Sequence, residues 1–333
     1  MFHSRARFLI MVFIGMISAV TVSAAGDFRL SGPYQFQNLT VFIARSEASD
    51  ADQGLLTLSE ALEKKYVTVY ETGQVGELEV ENVSSYPVYV QSGMIVKGGK
   101  QDRVLRFDII IRARSGRIPL ASFCVEHGRW TPRGQEKADQ FTTSSNIVSH
   151  RDIKIAAKAA ESQQEVWSKV EEYGKKVEVI RGGRRGDEYH TTSLQLMQED
   201  KEIRTHVEDY INFFNEKIRL GDDATGLIFA VNGVLSCADL YQSPDLFKKL
   251  YPQLLEAAAL EAVAEHNPKA GLNDVTTVDV FRWMENADRG EYSIRSIDGK
   301  MELRTKENDG TLVFETYPNH KTPVWIHKNI LAR

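Results

Sequence analysis

The sequence predicts an α+β protein: a strand-rich N-terminal half, a helical middle, then a β-hairpin and a C-terminal antiparallel meander. Three observations carry this. β-Branched and aromatic residues gather in short runs before residue 130, and apolar residues recur at helical spacing between 150 and 220. Asn232-Gly233, Asp298-Gly299 and Asp309-Gly310 punctuate the C-terminal third as tight turns. Strands come in runs rather than alternating with helices, which favours α+β over a doubly wound sheet.

The first strands read at 39–43, 67–72, 78–83 and 88–91. Between the first two, Thr57-Leu58-Ser59-Glu60 has capping-box spacing and opens a helix over 58–65. Strands at 106–111 and 119–126 flank a turn at Ser115-Gly116. In the middle, Ile153, Ala156, Ala157 and Ala160 share a helical face that Val166, Trp167 and Val170 extend to an end at Gly174. The basic loop Arg181-Gly182-Gly183-Arg184-Arg185-Gly186 reads as an exposed connector. Ile203, Val207, Tyr210, Ile211, Phe214 and Ile218 define the next helix, closed by a glycine cap at Leu220-Gly221.

Asn232-Gly233 is the dipeptide of a type I′ hairpin, where both central residues need positive φ, and it joins apolar runs at 227–231 and 234–238. Ser243-Pro244 starts a helix with proline at its first position. Proline inside a helix removes a hydrogen bond and crowds the preceding turn, so Pro252 predicts a short helix and a longer one over 253–265. A helix over 278–287, capped by Thr277, leads into strands 292–297, 300–306 and 311–317.

The first 24 residues read as a cleavable secretory signal peptide. Arg5 and Arg7 precede an apolar stretch over 8–20, and Thr21-Val22-Ser23-Ala24 supplies small residues where a signal peptidase needs them. Cleavage is expected after Ala24, with Ala25 as the alternate. The stretch is too short to stay as a bilayer span, and no later apolar run reaches that length. The expectation is a soluble secreted or periplasmic protein with no integral membrane segment after cleavage. Losing the leader removes Arg5 and Arg7 and no acid, so the formal charge moves from −5 to −7. That balance gives no reason to expect nucleic acid as a partner. The remainder reads as one α+β domain over 33–333, with lobes 33–145 and 146–333 as the alternative division. Cys124 and Cys237 leave two readings open, one bridge or two buried thiols.

No dinucleotide fingerprint, Walker loop, nucleophile elbow or His-Glu-x-x-His motif occurs, and no Cys/His group has zinc spacing. Neither cofactor nor metal is therefore expected. Two polar segments stand out instead. In Gly93-Met94-Ile95-Val96-Lys97-Gly98-Gly99-Lys100-Gln101-Asp102-Arg103, the cations Lys97, Lys100 and Arg103 surround a glycine pair. Adjacent glycines can take positive φ and expose amides as an anion-binding nest. A hairpin turn with solvated lysines is the plainer alternative. In Cys124-Val125-Glu126-His127-Gly128-Arg129-Trp130, a strand runs into four functional side chains. Glu126 and His127 are the candidates for proton transfer, Arg129 for clamping a carboxylate or phosphate, and Trp130 for stacking on a ring. An Arg129–Glu126 ion pair with Trp130 capping the core is the alternative. The candidate ligand-binding set is Lys97, Gly98, Gly99, Lys100, Gln101, Arg103, Arg129 and Trp130, and the expected ligand is a small anion. If the two segments build one site, Lys100 or Arg103 lies within about 10 Å of Glu126 or Arg129.

Glu81-Asn82-Val83-Ser84, Pro87-Val88, Gly98-Gly99-Lys100-Gln101-Asp102-Arg103 and the 124–130 segment resemble the ARG and Rhodanese-Phosphatase-superfamily-associated protein domain. Asn232-Gly233, Asp239, Pro244-Asp245-Leu246-Phe247 and Leu254-Leu255-Glu256-Ala257 extend the resemblance. It implies a role near NAD or ADP-ribose metabolism, through association with ADP-ribosylglycohydrolases and phosphatases, and it transfers no catalytic residue. The expected ligand is thus phosphorylated, nucleotide-like or of ADP-ribose type, either bound or hydrolysed. A structural or envelope interaction protein without a small-molecule site is the alternative.

Overall fold

The β-branched runs pair into three sheets in the computed structural model, which describes residues 28–46, 54–181, 192–267, 273–297, 299–318 and 324–333. The leader expected at 1–24, residues 182–186 of the basic loop and Asp298 fall outside the described residues. Strands β1 (Phe28–Phe36), β2 (Leu39–Ser46) and β3 (Leu56–Thr57) precede α1 (Leu58–Glu63), whose capping box closes reciprocally between Thr57 and Glu60. Then follow β4 (Val67–Gln74), β5 (Glu77–Asn82), β6 (Val88–Val90), β7 (Met94–Gly98) and β8 (Arg103–Leu105). β9 (Ile109–Ile111), β10 (Gly116–Cys124) and β11 (Gln140–Val148) complete this half. Six of these strands close a barrel in the order β10-β5-β4-β11-β7-β8, and β3-β6-β9 form a small sheet beside it.

The middle helix is not continuous. α2 (Arg151–Ile155) passes into a π-helical turn (Ala156–Ala160), Glu161 takes φ +50°, and Ser162 caps a new helix, α3 (Gln163–Ile180). Gly174 is buried inside α3 rather than at its end. After α4 (Leu194–Gln198), α5 (Lys201–Lys217) stops at Ile218 because that residue turns extended and enters the core. The expected cap, Gly221 at φ +68°, lies three residues further on. α6 (Pro244–Ala264) runs unbroken through Pro252. Pro252 is exposed, so the Lys248 carbonyl it deprives of a donor faces the solvent side, while the apolar face packs on without interruption. α7 (Thr277–Ala287) is capped by Thr276, one residue earlier than expected, in a capping box with Asp279.

β12 (Ala224–Val231) and β13 (Val234–Tyr241) form the expected hairpin, with Asn232 and Gly233 at φ +53° and +75°. The strands β14 (Glu291–Ile297), β15 (Met301–Glu307) and β16 (Thr311–Tyr317) form the meander. A strand not expected from sequence, β17 (His327–Ala332), joins it to the hairpin in the eight-stranded order β1-β2-β12-β13-β17-β16-β15-β14. One face of this sheet shares an apolar core with the barrel and with α3, α5 and α6. The other face packs under α7 through Phe42, Ile228, Val280 and Met284. No helix among the described residues is long and apolar enough to cross a membrane. Cys124 and Cys237 are separate buried thiols, so no bridge joins them.

Candidate functional site

The glycine-rich run is a hairpin. β7 and β8 pair antiparallel, and the chain turns between them at Gly98-Gly99. Gly98 has φ +127° and Gly99 φ +54°. A Cβ on Gly99 would stand 2.4 Å from the Phe141 ring and 2.9 Å from a Glu71 carboxylate oxygen, so neither position admits a side chain. The turn's amides are taken up by the chain itself: Gly99 N–H donates to the Gln140 carbonyl at 3.3 Å, and its neighbours donate to carboxylates. Gly98 N–H donates to Asp102 at 3.0 Å and Lys100 N–H to Glu71 at 3.2 Å.

Most of the expected cations have partners. Arg103 is fully buried, 3.3 Å from Glu71, with contacts to Gln101 at 3.3 Å and to the Cys124 sulfur. Lys97 pairs with Glu199 at 2.6 Å. Arg129 donates to Glu126 at 2.7 Å and lies 3.6 Å from Asp102, while Arg133 reaches Asp102 at 2.5 Å. The two polar segments therefore converge on one ionic cluster, joined by the Asp102–Arg129 contact. Burial, with Glu126 adding to it, pushes the Asp102 carboxyl up to about 6 against the pull of Arg133 and Arg129. Glu126 Oε1 and Arg129 Nη2 are buried without a hydrogen-bond partner among the described residues.

Lys100 differs from the rest. It enters no ion pair among the described residues, and its ammonium stands 5.2 Å from the centre of the Trp130 ring, with the Arg103 guanidinium at 5.8 Å. Trp130 is 43% exposed, so it does not cap the core; it lies at the surface beside these two cations.

Glu126 and His127 do not form an acid–base pair. Residues 125–127 run extended beside 192–194, held by Leu194 N–H to Val125 and His127 N–H to Thr192. Successive side chains on such a segment point to opposite sides. Glu126 enters the ionic cluster, whereas His127 faces a cleft of about 330 Å³ with Trp167, Glu171 and Thr192, its ring edge-on to Trp167 at 4.6 Å.

Residues 27–330, which include both polar segments and everything they touch, match the ARG and Rhodanese-Phosphatase-superfamily-associated Protein domain. The chain belongs to this family. No curated protein and no solved structure matches it.

A second cluster in this family member was not legible as a site. Where the small sheet, the eight-stranded sheet and α2 with its π-turn meet, His327 lies between two carboxylates, Nδ1 at 3.1 Å from Asp108 and Nε2 at 3.0 Å from Asp239. Lys154 reaches Asp239 at 3.2 Å, and Lys158 lies 3.6 Å from Asp108. All five side chains are buried. Ser92 N–H and the Thr316 hydroxyl donate to Asp108 at 2.7 Å each, Asn329 donates to Asp239 at 3.0 Å, and Tyr241 stacks on the imidazole at 4.6 Å. Burial alone favours neutral imidazole, but the two carboxylates outweigh it and raise the His327 pKa. Both carboxylates are likewise held below the usual range, against burial, by the lysines and His327. Among the described residues no group of His, Cys, Asp and Glu is arranged to hold a metal.

Proposed function

We propose that this family member is an exported protein that binds a small anionic, ring-bearing ligand of the phosphorylated, nucleotide or ADP-ribose type at the Trp130 face. The observation that supports this is Lys100, a cation without a carboxylate partner among the described residues, set beside an exposed indole. A base stacked on Trp130 would bring its phosphates to Lys100, and the ionic cluster behind would hold the platform still. Stacking of this kind is worth about 1–3 kcal/mol per base. Titrating the protein with ADP-ribose should quench tryptophan fluorescence. Trp130→Ala should weaken binding about tenfold or more, with the melting temperature nearly unchanged because the ring is exposed. A wild-type protein silent to ADP-ribose, nucleotides and sugar phosphates in both fluorescence and thermal shift would end this reading.

The pairing of Arg103, Arg129 and Arg133 with carboxylates favours a second reading, a structural or envelope protein whose ionic cluster is scaffolding. Export rests on the leader. Mass spectrometry of protein made with its own N-terminus should find a new terminus at Ala25 or Gly26, and an intact Met1 in the mature fraction would overturn it.

A further inference from the structure

A cavity of about 280 Å³ lies away from the Trp130 face, between the end of the π-turn and strand β14. Arg106 and Arg295 both enter its wall, and each guanidinium stands 4.7 Å from the centre of the Phe107 ring. The remaining wall is largely apolar, with Ile109, Pro119 and Ala121. One carboxylate serves both guanidiniums: Glu161 accepts from Arg106 and from Arg295.

Glu161 holds that place in an uncommon way. Its backbone is left-handed, at φ +50° and ψ +36°, a region where a side chain other than glycine, asparagine or aspartate is disfavoured. Its side chain is 37% exposed, as that of Arg295 is 43% exposed. The contacts with Arg295 and Arg106 outweigh partial burial and lower its pKa, so it is a carboxylate at neutral pH. Arg106 is fixed more firmly, donating to the Ala157 carbonyl at 3.3 Å and lying 4.7 Å from the Phe123 ring. Two cations thus meet one anion beside an aromatic face and an apolar wall. The volume is at the small end of ligand pockets.

We propose that this cavity is a binding site for a small organic oxyanion, a phosphate monoester or carboxylate on a ring, in which Glu161 is a built-in competitor. Guanidinium forks recognise both headgroups in the same two-pronged way. The ring body takes the apolar wall, and the headgroup takes the place of the Glu161 carboxylate on Arg106 and Arg295. Such a ligand binds weakly while Glu161 occupies the guanidiniums, because only the fraction of molecules with Glu161 displaced is competent.

Calorimetric titration with phenyl phosphate, benzoate, inorganic phosphate and benzyl alcohol tests this. Phenyl phosphate and benzoate should bind. Inorganic phosphate should bind more weakly because it lacks the ring, and benzyl alcohol should not bind because it lacks the charge. Glu161→Gln should tighten phenyl phosphate about tenfold, the gain expected if the competent fraction is about one in ten. Arg295→Ala should abolish binding. Should that variant melt early, Arg295→Lys keeps the charge without the fork and should weaken binding several-fold. Each titration is repeated in the Trp130→Ala background, where the Trp130 face can no longer supply the signal, and the binding that remains is the one that must respond to Glu161 and Arg295. Absence of phenyl phosphate binding to both the wild type and a folded Glu161→Gln would overturn the proposal. So would Glu161→Gln binding no tighter than wild type, or Arg295→Lys binding equally well.

Discussion

Replacing Asp108 by asparagine is expected to lower the melting temperature by on the order of 10 °C. Asparagine keeps the volume, and its Oδ1 can still accept from Ser92 N–H, while the amide nitrogen in the other oxygen's place can only donate to Thr316 Oγ1. What it loses is the charge that balances Lys158 and His327, both buried. Removing one member of a buried ionic group costs about 3–5 kcal/mol, mostly because the charge left behind has no water to turn to. Adding Lys158→Met removes that stranded charge with a side chain of similar size, so the double variant should recover about half of the loss. An Asp108→Asn protein melting within about 2 °C of wild type would show that Lys158 and His327 are not held as ions there.

The same variant should change the pH profile of stability, with a sign set by His327. Its folded pKa is raised above 6.5, so its contribution is complete below pH 6.5 and fades as pH climbs through the folded value. Asp108 and Asp239 are depressed below 3.8, so they contribute above pH 3.8 and lose that contribution as pH falls through their folded values. Two lysines face the same carboxylates: against burial, Asp239 raises the Lys154 pKa, whereas burial lowers that of Lys158 despite Asp108. His150 acts in the opposite sense. Burial holds it down to about 4 against Asp152, and stability is lost as pH drops from 6.5 toward that value. Subtracting the Asp108→Asn profile from the wild-type one cancels His150. The remaining advantage should be largest between pH 3.8 and 6.5 and should shrink on the alkaline side.

The parts of the fold that sequence made legible were those fixed by local chemistry. Asn232-Gly233 had one economical use, Ser243-Pro244 could only begin a helix, and Thr57 and Glu60 found each other across three residues. Where distant contacts decided, local rules failed. Pro252 stays in a helix because its face is exposed and the opposite face is deeply packed. The interruption at Glu161 is a tertiary choice, tied to Arg106 and Arg295 from other parts of the chain. The two polar segments drew notice because their charges sit close in sequence, and the fold does bring them together. The five groups of this cluster, His327 included, come from four separate stretches, so nothing adjacent announced them. One clue was present. Lys154 and Lys158 lie four residues apart among Ile153, Ala156 and Ala157, where buried lysines need buried carboxylates.

Glu126→Gln separates the ligand-binding reading from the scaffold. Glu126 is 1% exposed and accepts from Arg129 at 2.7 Å, with Arg133 at 4.0 Å. Glutamine preserves the shape but takes one negative charge from a cluster in which Arg129 then depends on Asp102 at 3.6 Å and Glu136 at 3.8 Å. The expected cost is about 3 kcal/mol, and a double-mutant cycle with Arg129→Met should return a coupling energy of about 2–3 kcal/mol, because the two side chains are direct partners. Glu126 is also one of the groups that raise Asp102, so the Asp102 midpoint, followed by carbon NMR, should move down from about 6. These effects belong to both readings. ADP-ribose tells them apart: if phosphates approach Lys100, removing a carboxylate from the cluster behind should hold or tighten binding even as stability falls. In a scaffold the loss of stability comes with no ligand response at all. Arg129→Lys sharpens the comparison, since a single ammonium cannot bond Glu126 while also reaching Asp102 and the Thr131 carbonyl, as the spread guanidinium nitrogens do. Wild-type stability in both variants would place Glu126 and Arg129 outside any ionic cluster, and the platform assigned to Trp130 would lose its support.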